Sequence, residues 1–199
     1  MKMRMIAWML MLSTAGLMGQ DPAAGNLLKN PGFEAKDSKN ERLPSDWGVF
    51  AEKGEPSAFV LVAENAKEGA AAFKLAFDTS ASKFLGMGQR IPIKAGQAVN
   101  FTAYFRNVSL REESYVQISI EWVSGQEPKK EISRSWGPVA KAVDLSTDNW
   151  KKFDINAVCP PGADEMNIVV TLFPAGGPDG AILIDDLNVT AKDVAKAAL

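Results

Sequence analysis

Hydrophobic residues along this chain recur mostly at every second position, in short runs separated by turn residues. Val99, Phe101, Ala103 and Phe105 alternate with Asn100, Thr102, Tyr104 and Arg106. Val116, Ile118, Ile120 and Trp122 alternate in the same way with Tyr115, Gln117, Ser119 and Glu121. A period of two is that of a strand with one face in a core and the other in solvent. Further strands are expected over Ala58–Val62, Ala70–Phe77 (Ala71, Phe73, Leu75 and Phe77 on one face), Lys83–Ile93, Trp150–Val158, Met166–Phe173 and Ala181–Thr190. Glu64–Gly69, Lys94-Ala95-Gly96, Pro160-Pro161-Gly162-Ala163 and Ala175–Gly180 read as the turns between them. Gln126–Ile132 is charged and turn-like, Ser133–Pro138 carries Trp136, and only Asp193–Leu199 looks helical. Eight or more strands with almost no helix predict an all-β sandwich or barrel.

Asn26-Leu27-Leu28-Lys29-Asn30-Pro31-Gly32-Phe33-Glu34 opens the ordered chain. Leu27 and Leu28 predict a short first strand, and Asn30-Pro31-Gly32 a tight turn in which Pro presets φ and Gly permits φ > 0. The turn should bring Glu34 to the closing strand, which carries Asp185 and Asp186. In the alternating series Asp185 falls with Leu187 and Val189, toward the core, and Asp186 points the other way.

Composition narrows the function. The 199 residues fit one domain, placed over 26–190, with a tail over 191–199. With 22 basic and 24 acidic residues there is no cationic excess to neutralise phosphates, so a nucleic-acid partner is not expected. The absence of histidine removes the commonest general base and transition-metal ligand. A single cysteine, Cys159, excludes an internal disulfide and reads as a small buried hydrophobe. Residues 1–19 have the form of a signal peptide: basic Lys2 and Arg4, an apolar run from Ile6 to Leu12, then small residues, with cleavage anywhere up to residue 24. The run is too short to span a bilayer and no lipid-accepting cysteine follows it. The expected location is therefore secreted or periplasmic, with no membrane span after signal removal. Asn100, Asn107 and Asn188 begin formal glycosylation sequons, relevant only in a eukaryotic secretory route.

The ordered set of motifs carries a resemblance. Asn26–Glu34, Leu43-Pro44-Ser45-Asp46-Trp47, Glu68-Gly69, Gln89–Gly96, Trp150, Pro161-Gly162-Ala163 and Ile184-Asp185-Asp186-Leu187 together resemble carbohydrate-binding modules of the cellulose- and xylan-binding kind, families 4, 9 and 22, with a galactose-binding-domain-like fold. The resemblance implies a jelly-roll β-sandwich of two antiparallel sheets, a structural calcium near the first and last strands, and a sugar groove on a concave face. Such modules usually accompany a glycoside hydrolase domain, for which this chain has no room.

Calcium takes six to eight oxygens at about 2.3–2.6 Å. Glu34 and Asp185 would supply carboxylates and the turn at Glu68 a carbonyl, with Asp186 a weaker candidate. Sugars need aromatic faces for their C–H sides and polar groups for their hydroxyls. Tyr104, Arg106, Tyr115, Gln117 and Glu121 offer that mixture if their strands share a sheet; Gln89, Trp47, Phe84 and Trp136 could border the groove. Solvated strand faces produce the same alternation. No acid pair, nucleophile elbow, phosphate loop or triad is recognisable. The expected function is an exported, non-catalytic module binding a β-glucan or xylan-like polysaccharide. The alternatives are a structural or adhesion domain binding protein or envelope components, and a small glycan-active hydrolase.

Overall fold

The structure is a computed structural model and describes residues 25–52, 59–77, 83–125, 128–175 and 180–193. The expected signal peptide and the short helix after Asp193 lie outside these residues.

Ten strands form two antiparallel sheets of five, arranged as a jelly roll. They are β1 (Gly48–Ala51), β2 (Phe59–Val62), β3 (Ala72–Phe77), β4 (Leu85–Pro92), β5 (Gln97–Asn107), β6 (Tyr115–Ser124), β7 (Lys130–Lys141), β8 (Lys151–Val158), β9 (Glu165–Phe173) and β10 (Gly180–Asp193). The first sheet has the order β1-β4-β9-β6-β7 and the second β2-β3-β10-β5-β8. One 3₁₀ turn, Ala142–Asp144, follows β7. No described helix is long and apolar enough to cross a membrane.

The alternation places its apolar members between the sheets. Phe101, Ala103 and Phe105 of β5 and Val116, Ile118, Ile120 and Trp122 of β6 are all buried, as are Phe73, Leu75 and Phe77 of β3. Cys159 is buried beside them, and burial pushes its thiol pKa up. β1 and β7 were not foreseen as strands. β7 is an edge strand exposed along most of its length, so it shows no buried stripe.

The opening segment forms no regular strand. It clips the sandwich shut instead. The Leu27 N–H donates to the Val189 carbonyl (2.8 Å) and the Leu187 N–H to that of Pro31 (3.2 Å). Asn26 bonds the β10 backbone twice more, to Leu187 O and from the Val189 N–H, both at 2.9 Å. From the other sheet, Gln89 of β4 exchanges two bonds with the Lys29 backbone and donates a third to Asp46 O. Phe33 then enters the core fully buried, against Trp47 (5.5 Å between centroids) and Phe73 (5.6 Å).

The turn itself differs from expectation. Asn30 (φ 48°) and Phe33 (φ 60°) take the left-handed region, and Gly32 does not. Asn30 compensates through its amide, which bonds Ala35 at both N–H and carbonyl and also reaches Ser45. Burial of the Phe33 ring offsets its own strain. Nor does space demand Gly32, since a Cβ there would make only ordinary contacts, 3.9 Å from Asp185 Oδ1 and 4.0 Å from Glu34 Cγ.

Candidate functional site

With its apolar positions inward, β6 turns Tyr115, Gln117, Ser119 and Glu121 to the outer face of the first sheet. Cross-strand register then sets up rows across that face. At one end Tyr115 is opposite Phe173 of β9 and Lys141 of β7. The Tyr115 and Phe173 rings stack at 4.7 Å, and Phe84 and Phe50 continue the aromatic line at 6.3 and 6.4 Å. Phe50 lies over Gly86, where any Cβ would strike its ring and the Val170 carbonyl.

The middle of the face has a floor of small residues, with Gly48, Gly88, Val169 and Ser119 in register and Trp136 of β7 at the end of the row. The next row is polar: Arg90, Asn167, Glu121, Arg134. Glu121 accepts from Asn167 (2.7 Å) and pairs with Arg134 (2.6 Å), which also forks onto Glu131 at 3.1 and 2.8 Å. The bond to Glu131 raises the guanidinium pKa further, and Arg134 in turn supports the Trp136 ring at 4.9 Å. Trp136 is 61% exposed, a large aromatic surface left in solvent.

Beside Tyr115 a shallow cavity of about 520 Å³ opens, walled by Tyr115, Gln117, Val139 and Val143 and edged by Glu112, Glu113 and Lys141. Gln117 Nε2 is tied to the carbonyls of Gly137 (2.7 Å) and Ile118 (3.2 Å). Its Oε1 accepts no bond among the described residues. The arrangement provides an aromatic face, an apolar wall and fixed acceptors and cations within one sheet, which is the chemistry that orients a sugar ring.

The nine residues singled out for a sugar in the sequence do not share one groove, although Phe84 and Trp136 do border this face. Tyr115, Gln117 and Glu121 lie on this face. Tyr104 and Arg106 lie on β5 of the second sheet and point out of the opposite side of the molecule, because the jelly roll sends β5 and β6 to different sheets. Gln89 falls in the inward phase of β4 between Met87 and Ile91, is 7% exposed, and holds the opening segment. Trp47, also 7% exposed, covers the core edge and donates its indole N–H to Asn30 O at 3.0 Å. The Arg134–Trp136 pair on β7 was missed as a unit, because β7 itself carries no periodic signal.

Asp185 also departs from its expected phase. It is in register with Tyr104 of the outer face, while Ile184 pairs with Phe105 of the core. A bulge between Asp185 and Asn188, with Asp186 at φ 50°, returns Leu187 and Val189 to the core. Asp185 is nevertheless fully buried, because backbone covers it. Its Oδ2 accepts from the N–H groups of Lys67 (2.7 Å) and Glu68 (3.2 Å), and its Oδ1 from Asp186 (2.7 Å). Burial still pushes its pKa up to about 6.

Glu34 Oε1 accepts from the Ala70 (2.9 Å) and Ala71 (3.2 Å) N–H groups, and lies over Gly69 at φ 67°. Beside them Lys67 Nζ bonds Asp186 (2.7 Å) and Glu68 (3.2 Å). Burial opposes the Lys67 charge, but these two bonds outweigh it and raise its pKa. So arranged, Glu34 and Asp185 are held by backbone N–H donors and Glu68 by an ammonium. Asp185 is buried and Glu34 exposed, and among the described residues no group of three or more His, Cys, Asp or Glu side chains is placed to hold a metal ion.

No protein-family model matches the chain, and no curated protein matches it. Solved structures do. A family 61 carbohydrate-binding module in complex with β-1,4-galactotriose is 20% identical, with a TM-score of 0.56 over 84% of this chain and 99% of that one. The fold they share is the jelly roll. The family 22 xylan-binding domain of a Paenibacillus barcinonensis xylanase is 14% identical, with a TM-score of 0.53 over 82% of this chain and 93% of that one. A Clostridium thermocellum xylanase, combining a family 22 module with a catalytic module and complexed with xylohexaose, is also 14% identical, with a TM-score of 0.59; the match covers 85% of this chain and 29% of that one. At these identities the likeness speaks to the jelly roll.

Proposed function

We propose that this is an exported, non-catalytic carbohydrate-binding module that takes a β-glucan or xylan-like chain on the outer face of its first sheet. The observation that carries the reading is the joining, on one face, of the stacked Tyr115–Phe173 pair and its cavity with the Glu121–Arg134–Trp136 unit. Aromatic faces and fixed hydrogen-bonding groups are what a sugar chain requires. The module structures sharing the fold, bound to galactotriose or named for xylan, support the same substrate class. Lys2, Arg4 and the apolar run after them support export, which the mass of the mature secreted protein would test.

Native affinity gels containing xylan, mixed β-glucan or β-1,4-galactan test the binding. Retardation in at least one gel is expected; unretarded migration in all of them overturns the carbohydrate reading and favours an adhesion domain. Release of reducing sugar by the purified protein would overturn the non-catalytic part.

A calcium at the closure is a separate proposal, which rests on the resemblance and on the Glu34 and Asp185 carboxylates both meeting the backbone of the Lys67–Ala71 turn. The hydrogen-bond pattern speaks for the alternative, in which backbone N–H groups and Lys67 hold these carboxylates without metal.

A further inference from the structure

Tyr104 and Arg106, displaced from the groove around Tyr115, stand among other cations on the outer face of the second sheet. Arg106 pairs with Leu183 of β10, which pairs with Lys74 of β3. The Arg106 guanidinium lies over the ring of Trp150, just before β8, at 5.4 Å from Cζ to the centroid. In the next row Tyr104 is opposite Lys152 of β8, and Lys67 Nζ covers its ring at 4.1 Å.

Lys67 is matched by Asp186. Among the described residues Lys74, Arg106 and Lys152 have no carboxylate within ion-pair distance, and Arg106 Nε is buried with no hydrogen-bond partner at all. Asp154, the next outward carboxylate on β8, takes a bond from Asn156 (3.3 Å). A buried donor on a charged group is costly to leave unmet, so Arg106 is held here without the compensation that the other cations of the face have in solvent.

Farther along the same strands, a second cavity of about 440 Å³ has a mainly apolar lining that includes Ala98, Val158 and Ala191, with Asn100, Asn156, Thr190 and Lys192 as its polar members. The Asn100 amide donates to Asn156 at 3.0 Å, and Thr190 and Lys192 add a hydroxyl and one more cation.

We infer that this face is a second saccharide site, specific for a uronate-bearing chain running along β5. Trp150 fixes the plane of the Arg106 guanidinium, so its outer Nη N–H groups are pre-oriented for a planar carboxylate. Lys74 and Lys152 add positive potential, and the Asn100–Asn156–Thr190 cavity takes hydroxyls of a further sugar unit. The site does not depend on the groove around Tyr115.

Calorimetric titration with tetragalacturonate, with neutral galactotetraose and dextran sulfate as controls, tests it. The wild type is expected to bind tetragalacturonate; Arg106→Gln weakens this about tenfold or more, while Tyr115→Ala leaves it unchanged. Arg106→Gln also removes the unmet donor, so its melting midpoint should not fall; Lys152→Gln, at an exposed position, is the second variant and should weaken binding about threefold. Failure of the wild type to bind tetragalacturonate overturns the inference. So does loss of binding in Tyr115→Ala but not in Arg106→Gln, which would move the uronate to the first face. Equal affinity for dextran sulfate overturns it too, by showing only a general attraction for polyanions.

Discussion

The rings of Tyr115 and Phe173 lie nearly parallel, 16° apart in plane and 4.7 Å between centroids. They belong to paired strands of one sheet, so the platform is set by backbone register. Such pairs contribute about 0.5–1.5 kcal/mol beyond area burial, and a pre-oriented ring loses little freedom when a sugar docks.

Trp136 should separate binding from folding. Its ring is 61% exposed and rests on Arg134, so Trp136→Ala removes contact surface without opening the core. Affinity for a retained polysaccharide should fall at least fivefold with the melting midpoint unchanged. A large fall in the midpoint would show that the ring is structural.

The metal-free reading of the closure, which the hydrogen bonds favour, predicts indifference to chelation. Asp185 and Glu34 are satisfied by backbone N–H groups, and Lys67 neutralises Asp186. EDTA should leave the melting midpoint where it is, and Lys67→Met should lower it. A midpoint that drops in EDTA and recovers with calcium would restore the metal.

Asp185 gives a pH dependence of definite sign. Its pKa rises from 3.8 to about 6 on folding because burial disfavours the charge. The folded state therefore binds this proton more tightly than the unfolded state. Its contribution to stability is greatest below the unfolded value and is lost as pH rises from about 4 to about 6, by roughly 3 kcal/mol in all. Asp185→Asn cannot titrate, so the wild type should gain stability relative to this variant as pH is lowered from 7.5 to 5. A difference that is flat with pH contradicts the shift.

Gly69 is the residue of the Lys67–Ala71 turn at which a side chain would be strained and would displace the Glu34 carboxylate. It has φ 67°, and a Cβ would run into the Glu34 carboxylate. Gly69→Ala should cost about 1–3 kcal/mol in chemical denaturation, and more than Gly96→Ala, where φ is 84° but the Cβ meets nothing within 4 Å.

Alternation made most of the sandwich legible. β5 and β6 show their buried and exposed faces residue by residue, and the inward phase of Gln89 between Met87 and Ile91 was already present in the chain. What alternation cannot carry is the sheet to which a strand belongs. Tyr104 and Tyr115 both face outward, yet on opposite sides, because consecutive strands cross between layers. β7 was illegible for another reason: as an exposed edge interrupted by Gly137 and Pro138 it has no apolar stripe, and it carries Arg134 and Trp136 of the site. The bulge at Asp186 reverses the phase of β10 and was likewise invisible to a strict period of two.

The most direct test is titration calorimetry of the wild type and Tyr115→Ala with an oligosaccharide of whichever polysaccharide retards the protein in a gel. Saccharide binding on the first face requires the wild type to bind and Tyr115→Ala to bind at least about tenfold more weakly, a loss of about 1.4 kcal/mol, with its fold intact by circular dichroism. Unchanged affinity in the folded Tyr115→Ala variant would contradict the placement of the site, and the absence of heat with every oligosaccharide would contradict the function.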